Sequence, residues 1–196
     1  QARHLTHAPT NADFGEDDQF RYQLVSELRT PQAVSAPQTL TEEEVRAAIE
    51  ATTNARDRFL LLLLDSTGVR IGEALGLRRS DMHLLPDSTA LGCEIAGAHI
   101  EVVRRENNAN HAKAKTLQRS IPVVPELVEA YRDYVYEREH LLGDDGSDYV
   151  FVSLQAETRG DALSYEAVMS LFHRLRKRTG IPNLRPHLFR HTYATR

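Results

Sequence analysis

Phe59 is followed by five consecutive leucines at 60–64. A helix through this run is apolar on all its faces, so it has to be covered on nearly every side. The run is far too short to cross a bilayer, and no other uninterrupted apolar stretch is long enough. It therefore marks the centre of a folded core. In a chain of 196 residues with 41% hydrophobic content, that core can be single and sizeable, with an extra arm besides.

The surrounding pattern is mostly helical. Thr41 and Glu44 form a capping box, and Leu40 and Val45 fit the hydrophobic staple around it. Val45, Ala48 and Ile49 make the buried stripe of that first helix. The leucine helix is expected over about 55–66, with Gly68 as its stop, and a shorter helix over about 71–77. The middle changes character. Residues 100–103 and 120–124 read as strands, with the polar stretch 106–114 as a hairpin loop and 82–85 as a further short strand. Pro122 suits an edge strand or a strand end. Helix returns over about 125–141, with Leu127, Val128, Tyr131, Tyr134 and Val135 facing inward. A turn at 143–146 and a short apolar segment at 149–152 follow. Ser164 caps a helix that Gly180 ends, and Pro186 opens the last one at its first helical position. The expected fold class is mainly α with a small antiparallel β-sheet (α+β). Residues 1–38, punctuated by Pro9, Pro31 and Pro37, read as an N-terminal arm or interdomain linker, with a short strand or helix at 20–25.

The formal net charge is −4, which argues against a uniformly basic nucleic-acid binder. The average hides a gradient. Acids crowd the N-terminal third, whereas from Glu166 onward that residue is the only acid against seven Lys and Arg. Such asymmetry suits a polyanion-facing side, and equally a solvated basic helix. A single cysteine, Cys93, excludes an internal disulfide and a cysteine-rich zinc site, and suits a reducing, intracellular setting. The start, Gln1-Ala2-Arg3-His4, lacks both an initiator Met and a signal-peptide pattern, and reads as a trimmed end.

Three groups of residues can carry chemistry. Arg70 follows a glycine turn and opens a helix, where free amides favour anions and its guanidinium can fork two phosphate oxygens. Glu73 lies three residues on and can orient Arg70; the plainer reading is a surface Arg–Glu pair. His187 and Arg190 share one helical face behind Pro186, where the helix dipole favours a neutral imidazole; the plainer reading is a capped surface helix. Lys115 belongs to a basic hairpin with Arg104, Arg105, Lys113 and Arg119. A lysine there can enter a DNA groove, deliver a proton to a leaving oxygen, or simply blunt an exposed strand edge. His187 and His191 also have the spacing of a two-histidine metal site. Leu188 stands where a zinc hydrolase carries glutamate, and Arg190 would face the cation, so no metal is expected there.

Taken in order, these motifs resemble the catalytic domain of tyrosine recombinases, the phage integrase family. Thr67-Gly68-Val69-Arg70-Ile71-Gly72-Glu73 carries the Gly-x-Arg-x-x-Glu pattern, continued by Leu75-Gly76-Leu77-Arg78-Arg79-Ser80-Asp81. Lys115-Thr116, ahead of Arg119-Ser120-Ile121-Pro122-Val123, resembles the hairpin lysine and following strand, with Lys113 as the alternative lysine. His187-Leu188-Phe189-Arg190-His191-Thr192 resembles the His-x-x-Arg-His box. The resemblance covers about 39–196 and leans towards integrases of transposons and other mobile elements.

The resemblance implies DNA strand cleavage and rejoining through a 3′-phosphotyrosyl intermediate, with no metal or other cofactor. Arg70, Lys115, His187 and Arg190 would be catalytic, with Glu73 supporting them. Arg104, Arg105, Lys113, Arg119, Arg174 and Lys177 would meet the DNA. Double-stranded DNA is the implied partner, with a homo-tetramer assembled on it, no membrane, and a cytoplasmic, nucleoid-associated location. The family's nucleophilic tyrosine is expected beyond Arg196, which makes 39–196 a catalytic domain incomplete at its C-terminus and inactive for cleavage as it stands. Tyr193, inside the His-x-x-Arg helix, is expected to be structural. Three other readings compete: a truncated relative that binds DNA or a partner recombinase without catalysis, a type IB topoisomerase-like enzyme, and a plain helical domain with no DNA role.

Overall fold

The computed structural model describes residues 38–196, apart from Lys115 and Asp145. The expected arm at 1–38, with its element at 20–25, lies outside the described residues but for its last position. Six helices and a three-stranded sheet follow in the order α1 (Glu42–Glu50), α2 (Ala55–Thr67), α3 (Ile71–Leu75), β1 (Met82–His83), β2 (His99–Val102), β3 (Arg119–Pro122), α4 (Pro125–Leu142), α5 (Tyr165–Thr179) and α6 (Pro186–Thr195). This is the mainly helical α+β class expected. Among the described residues no helix is long and apolar enough to cross a membrane.

The leucine run organises the core as its composition demands. Helix α2 packs against α1, α3, α4 and α6. Leu60, Leu61, Leu63 and Leu64 are all buried. Phe59 stacks on Phe151 with ring centroids 5.2 Å apart, and Tyr134 of α4 lies over both rings. The segment at 149–152 thus passes through the core.

The caps are local and follow from short-range chemistry. Thr41 Oγ1 accepts from the Glu44 amide at 3.2 Å, and Glu44 Oε2 accepts from the Thr41 amide at 2.9 Å. Ser164 Oγ accepts from the Ala167 amide, and Gly180 closes α5 in the left-handed region at φ 72°. Gly68 closes α2 at φ 60°. A side chain there would be doubly opposed, since its Cβ would fall 2.2 Å from the ring of Tyr193.

The sheet is antiparallel in the order β1-β2-β3. Strands β2 and β3 begin and end one or two residues earlier than expected, and β1 is shorter. Pro122 is the last residue of edge strand β3, where its missing N–H is harmless. Helix α3 is also shorter than expected, because the chain turns at Gly76. In α4 the buried positions are Leu127, Ala130, Tyr134 and Arg138, while Val128, Tyr131 and Val135 are half-buried. Arg138 is the surprise there. Its guanidinium donates to the carbonyls of Ser147 at 2.9 Å and Tyr149 at 2.7 Å, tying α4 to the core segment.

Candidate active site

Three elements bring the candidate residues together: the turn between α2 and α3, strand β3, and α6. Arg70 is the N-cap residue of α3. Its amide donates to Glu73 Oε2 at 2.9 Å, while its own guanidinium is 3.5 Å from Glu73 Oε1 and 41% exposed. Arg70 is thus fixed at its backbone and open at its head.

Glu73 is the buried hub. Beyond Arg70, it accepts from Thr116 Oγ1 at 2.6 Å and from Arg119 Nη2 at 2.9 Å. Burial raises the Glu73 pKa, but the donors from Arg119, Thr116 and the Arg70 amide outweigh it and bring it from 4.5 to about 2. A carboxylate so held stays charged at neutral pH and locks the turn of α3 to β3.

Arg190 approaches from α6. Its Nη1 donates to the Gly68 carbonyl at 2.6 Å, beside the Arg70 turn. Among the described residues no carboxylate is within ion-pair distance of it. Its pKa is lowered, first by burial and then by the positive charge of Arg70, with Arg119 adding to this and Glu73 opposing it. Two guanidiniums that raise each other's cost, with the nearby carboxylate already held by Arg119, form a site that gains from an anion.

His187, also on α6, is exposed. Its Nε2 lies 2.8 Å from His191 Nε2. Its pKa is lowered from 6.5, by desolvation first and then by His191, Arg185, Arg190 and Arg70. The imidazole is therefore neutral at pH 7, in the direction the helix start implies. No third ligand joins His187 and His191 among the described residues.

The other basic candidates are placed differently from one another. Arg104 is exposed and 3.5 Å from Glu106, and Arg104, Arg105 and Lys113 line one cleft. Arg105 grips the buried Asp81 with two bonds, of 2.8 and 2.7 Å, and that pairing raises its pKa. Arg119 is spent in the same way on Glu73. Nothing in local spacing forecast these two ion pairs, because their partners lie far away in sequence. Arg174 and Lys177 are exposed on α5. Lys115 lies outside the described residues. Tyr193 packs its ring over Gly68 and, with Arg190 and Arg119, lines a cleft beside the site.

The whole described region, residues 38–196, matches the phage integrase family. The chain belongs to that family. Transposase A from transposon Tn554 of Staphylococcus aureus is 37% identical over 159 residues, which cover 80% of this chain and 40% of that protein. Tyrosine recombinase XerA of Thermococcus onnurineus is 31% identical over 183 residues, covering 90% of this chain and 56% of that one. The chain thus spans about half the length of these relatives. A crystal structure of XerA recombinase superposes with a TM-score of 0.61 at 28% identity, over 84% of this chain and 50% of that one. The integrase of transposon Tn1549 shares the fold at a TM-score of 0.59 and 20% identity, over 84% of this chain and 54% of that one.

Proposed function

We propose that residues 39–196 are the catalytic domain of a site-specific DNA recombinase of the mobile-element type. The observation that carries this reading is the convergence of Arg70 and Arg190 on one side of the Gly68 turn, with neutral His187 beside them. The kinship with a transposase and with XerA supports the same reading.

In the proposed reaction a tyrosine hydroxyl attacks the scissile phosphorus. The Oη–P bond forms, the P–O5′ bond breaks, and the DNA 3′ end stays on the enzyme as a phosphotyrosine. Lys115 gives a proton to the leaving 5′-oxygen, or Lys113 does if the hairpin register is shifted. Arg70 and Arg190 hold the non-bridging oxygens as charge concentrates on them, and one such preorganised donor is worth on the order of 10²–10³ in rate. His187, neutral at pH 7, relays a proton near the phosphate. The phosphotyrosyl link conserves the bond energy, so the reverse attack by a 5′-hydroxyl rejoins strands without ATP. Tyr193 is not the attacking group in this scheme: it lies within the His-x-x-Arg helix, where the family keeps a structural aromatic, with its ring against Gly68.

Arg104, Lys113, Arg174 and Lys177 contact the DNA backbone, while Arg105 and Arg119 act mainly by holding Asp81 and Glu73. A homo-tetramer on duplex DNA, in the cytoplasm or nucleoid, completes the proposal. The test is to incubate the protein, in a form that carries the nucleophilic tyrosine, with a plasmid library of candidate sites and sequence the junctions. Recombinant junctions at one preferred site support the reading. Relaxation of supercoils without site preference would replace it with a topoisomerase, and binding without any strand breakage would leave only a DNA-binding module.

A further inference from the structure

A second cluster of chemically capable side chains lies on the sheet, apart from the arginines. His83 of β1 and His99 of β2 are register partners. The segment between them folds back so that Cys93 reaches the same point. His83 Nδ1 is 3.2 Å from His99 Nε2, and Cys93 Sγ is 2.9 Å from His83 Nδ1. All three ligand atoms lie within 4.8 Å of one another. Glu101, two residues after His99 on the same strand face, brings Oε1 to 3.6 Å from His99 Nε2. Glu101 Oε1 is itself oriented by the hydroxyl of Ser120 on β3.

The outer ring nitrogens decide what the inner ones can do. His83 Nε2 is 2.9 Å from the Ser80 carbonyl, and His99 Nδ1 is 2.8 Å from the Gly97 carbonyl. A carbonyl only accepts, so both outer nitrogens carry the proton of a neutral ring. While both rings are neutral, the inner nitrogens present lone pairs to each other at 3.2 Å, and the one thiol proton can relieve only one of them. His99 is fully buried, so water does not resolve the conflict easily. A cation does. Backbone carbonyls holding the far side of each imidazole are also the usual second support of metal-binding histidines.

We propose that His83, Cys93 and His99 form a zinc-binding site that clasps residues 84–98 onto the sheet, with Glu101, which touches the cluster only at His99, turning in from Ser120 as the fourth ligand. Two nitrogens, a thiolate and a carboxylate suit zinc and leave the site electrically neutral. Zn–N bonds of about 2.0–2.1 Å in a tetrahedron put two nitrogens about 3.3 Å apart, close to the spacing found here. A Zn–S bond of about 2.3 Å needs a nitrogen–sulfur edge of about 3.5 Å, so Cys93 Sγ must withdraw by about 0.6 Å. Cys93 can do so, because it sits in a half-buried loop behind Gly92 rather than in a strand. The ligand spacing matches no familiar zinc motif, which is why a single cysteine looked uninformative.

The experiment uses the reduced, chelator-stripped protein titrated with cobalt(II) and then zinc. The expected result is one cobalt per chain with tetrahedral d–d absorption and a thiolate-to-cobalt charge-transfer band, both displaced by zinc. Cys93 is the only cysteine in the sequence, so the charge-transfer band reports this site alone. Cys93→Ser removes the band. Supporting groups around a ligand are alone worth about 10–100-fold in affinity, so His83→Gln is expected to weaken binding by about 100-fold or more. Both variants are compared with the parent by circular dichroism in chelator, which separates lost metal binding from lost folding. Zinc should also slow amide exchange across 84–98. No charge-transfer band with cobalt in excess would overturn the proposal, pointing instead to a proton shared between the two rings. So would metal binding that vanishes in His187→Ala/His191→Ala and is indifferent to Cys93→Ser.

Discussion

Burial alone would push the Glu73 carboxyl up, yet donors from Arg119, Thr116 and the Arg70 amide bring it to about 2. The displacement from 4.5 corresponds to about 3 kcal/mol of folding stability. The sign follows from the lowered value: the contribution is fully present above about 4.5 and is lost as pH falls towards 2. Glu73→Gln should therefore unfold about 3 kcal/mol more easily in urea at pH 7, with the gap to the parent closing as the pH is lowered through that window. A gap of constant size would show that Glu73 acts by shape rather than charge. His187 provides a second residue-scale test. Its pKa is held down by desolvation and by cations that include Arg70. Arg70→Ala should move the His187 titration upward, as read by NMR of its ring protons. An unmoved titration would place Arg70 away from the imidazole. Of these two residues, His187 was more legible in the sequence, since a helix start behind proline is a local event. The partners of Glu73 on β3 were not, because no local spacing encodes them.

The turn at 67–73 works because two glycines let other segments come close. Gly68 accepts the Tyr193 ring, and Gly72 lies under the 103–118 connection, where a Cβ would stand 2.8 Å from the Lys113 carbonyl oxygen. That oxygen belongs to backbone and cannot swing aside. Gly72→Ala should therefore cost about 1–3 kcal/mol in denaturant unfolding and shift the amide resonances of residues 112–114. Unchanged resonances would mean that the connection does not rest on α3. At this scale the sequence was most readable where caps and stops are chemical: Thr41, Ser164, Gly68 and Gly180 each mark the boundary they form. It was less readable where an element ends for tertiary reasons. Helix α3 stops at Leu75, and Arg138, on a helix that reads as simply amphipathic, is buried to satisfy carbonyls of the core segment. The ligand cluster on β1 and β2 was hidden for the same reason, since strand register brings His83 to His99.

Across the whole molecule, the leucine helix sets the architecture and the ends of its neighbours set the site. The α2–α3 turn, β3 and α6 are separate in sequence, but all are anchored to one core, so their charged tips are held at fixed distances. With a net charge of −4, the proposed function requires DNA to be gripped by local basic patches. Arg174 and Lys177, exposed together on α5, should each lower the slope of log affinity against log salt by about 1 when replaced by Ala. Slopes equal to the parent's would remove α5 from the DNA-facing side. The central claim is that Arg70 and Arg190 serve one phosphate during strand transfer. It is tested most directly by the single-turnover yield of SDS-stable protein–DNA adduct on a nicked target duplex, measured for the protein in a form that carries the nucleophilic tyrosine and for its Arg70→Ala and Arg190→Ala variants. The account predicts that each substitution slows adduct formation by about 10²–10³ while the DNA still binds. Adduct formed at the parental rate in both variants would contradict it.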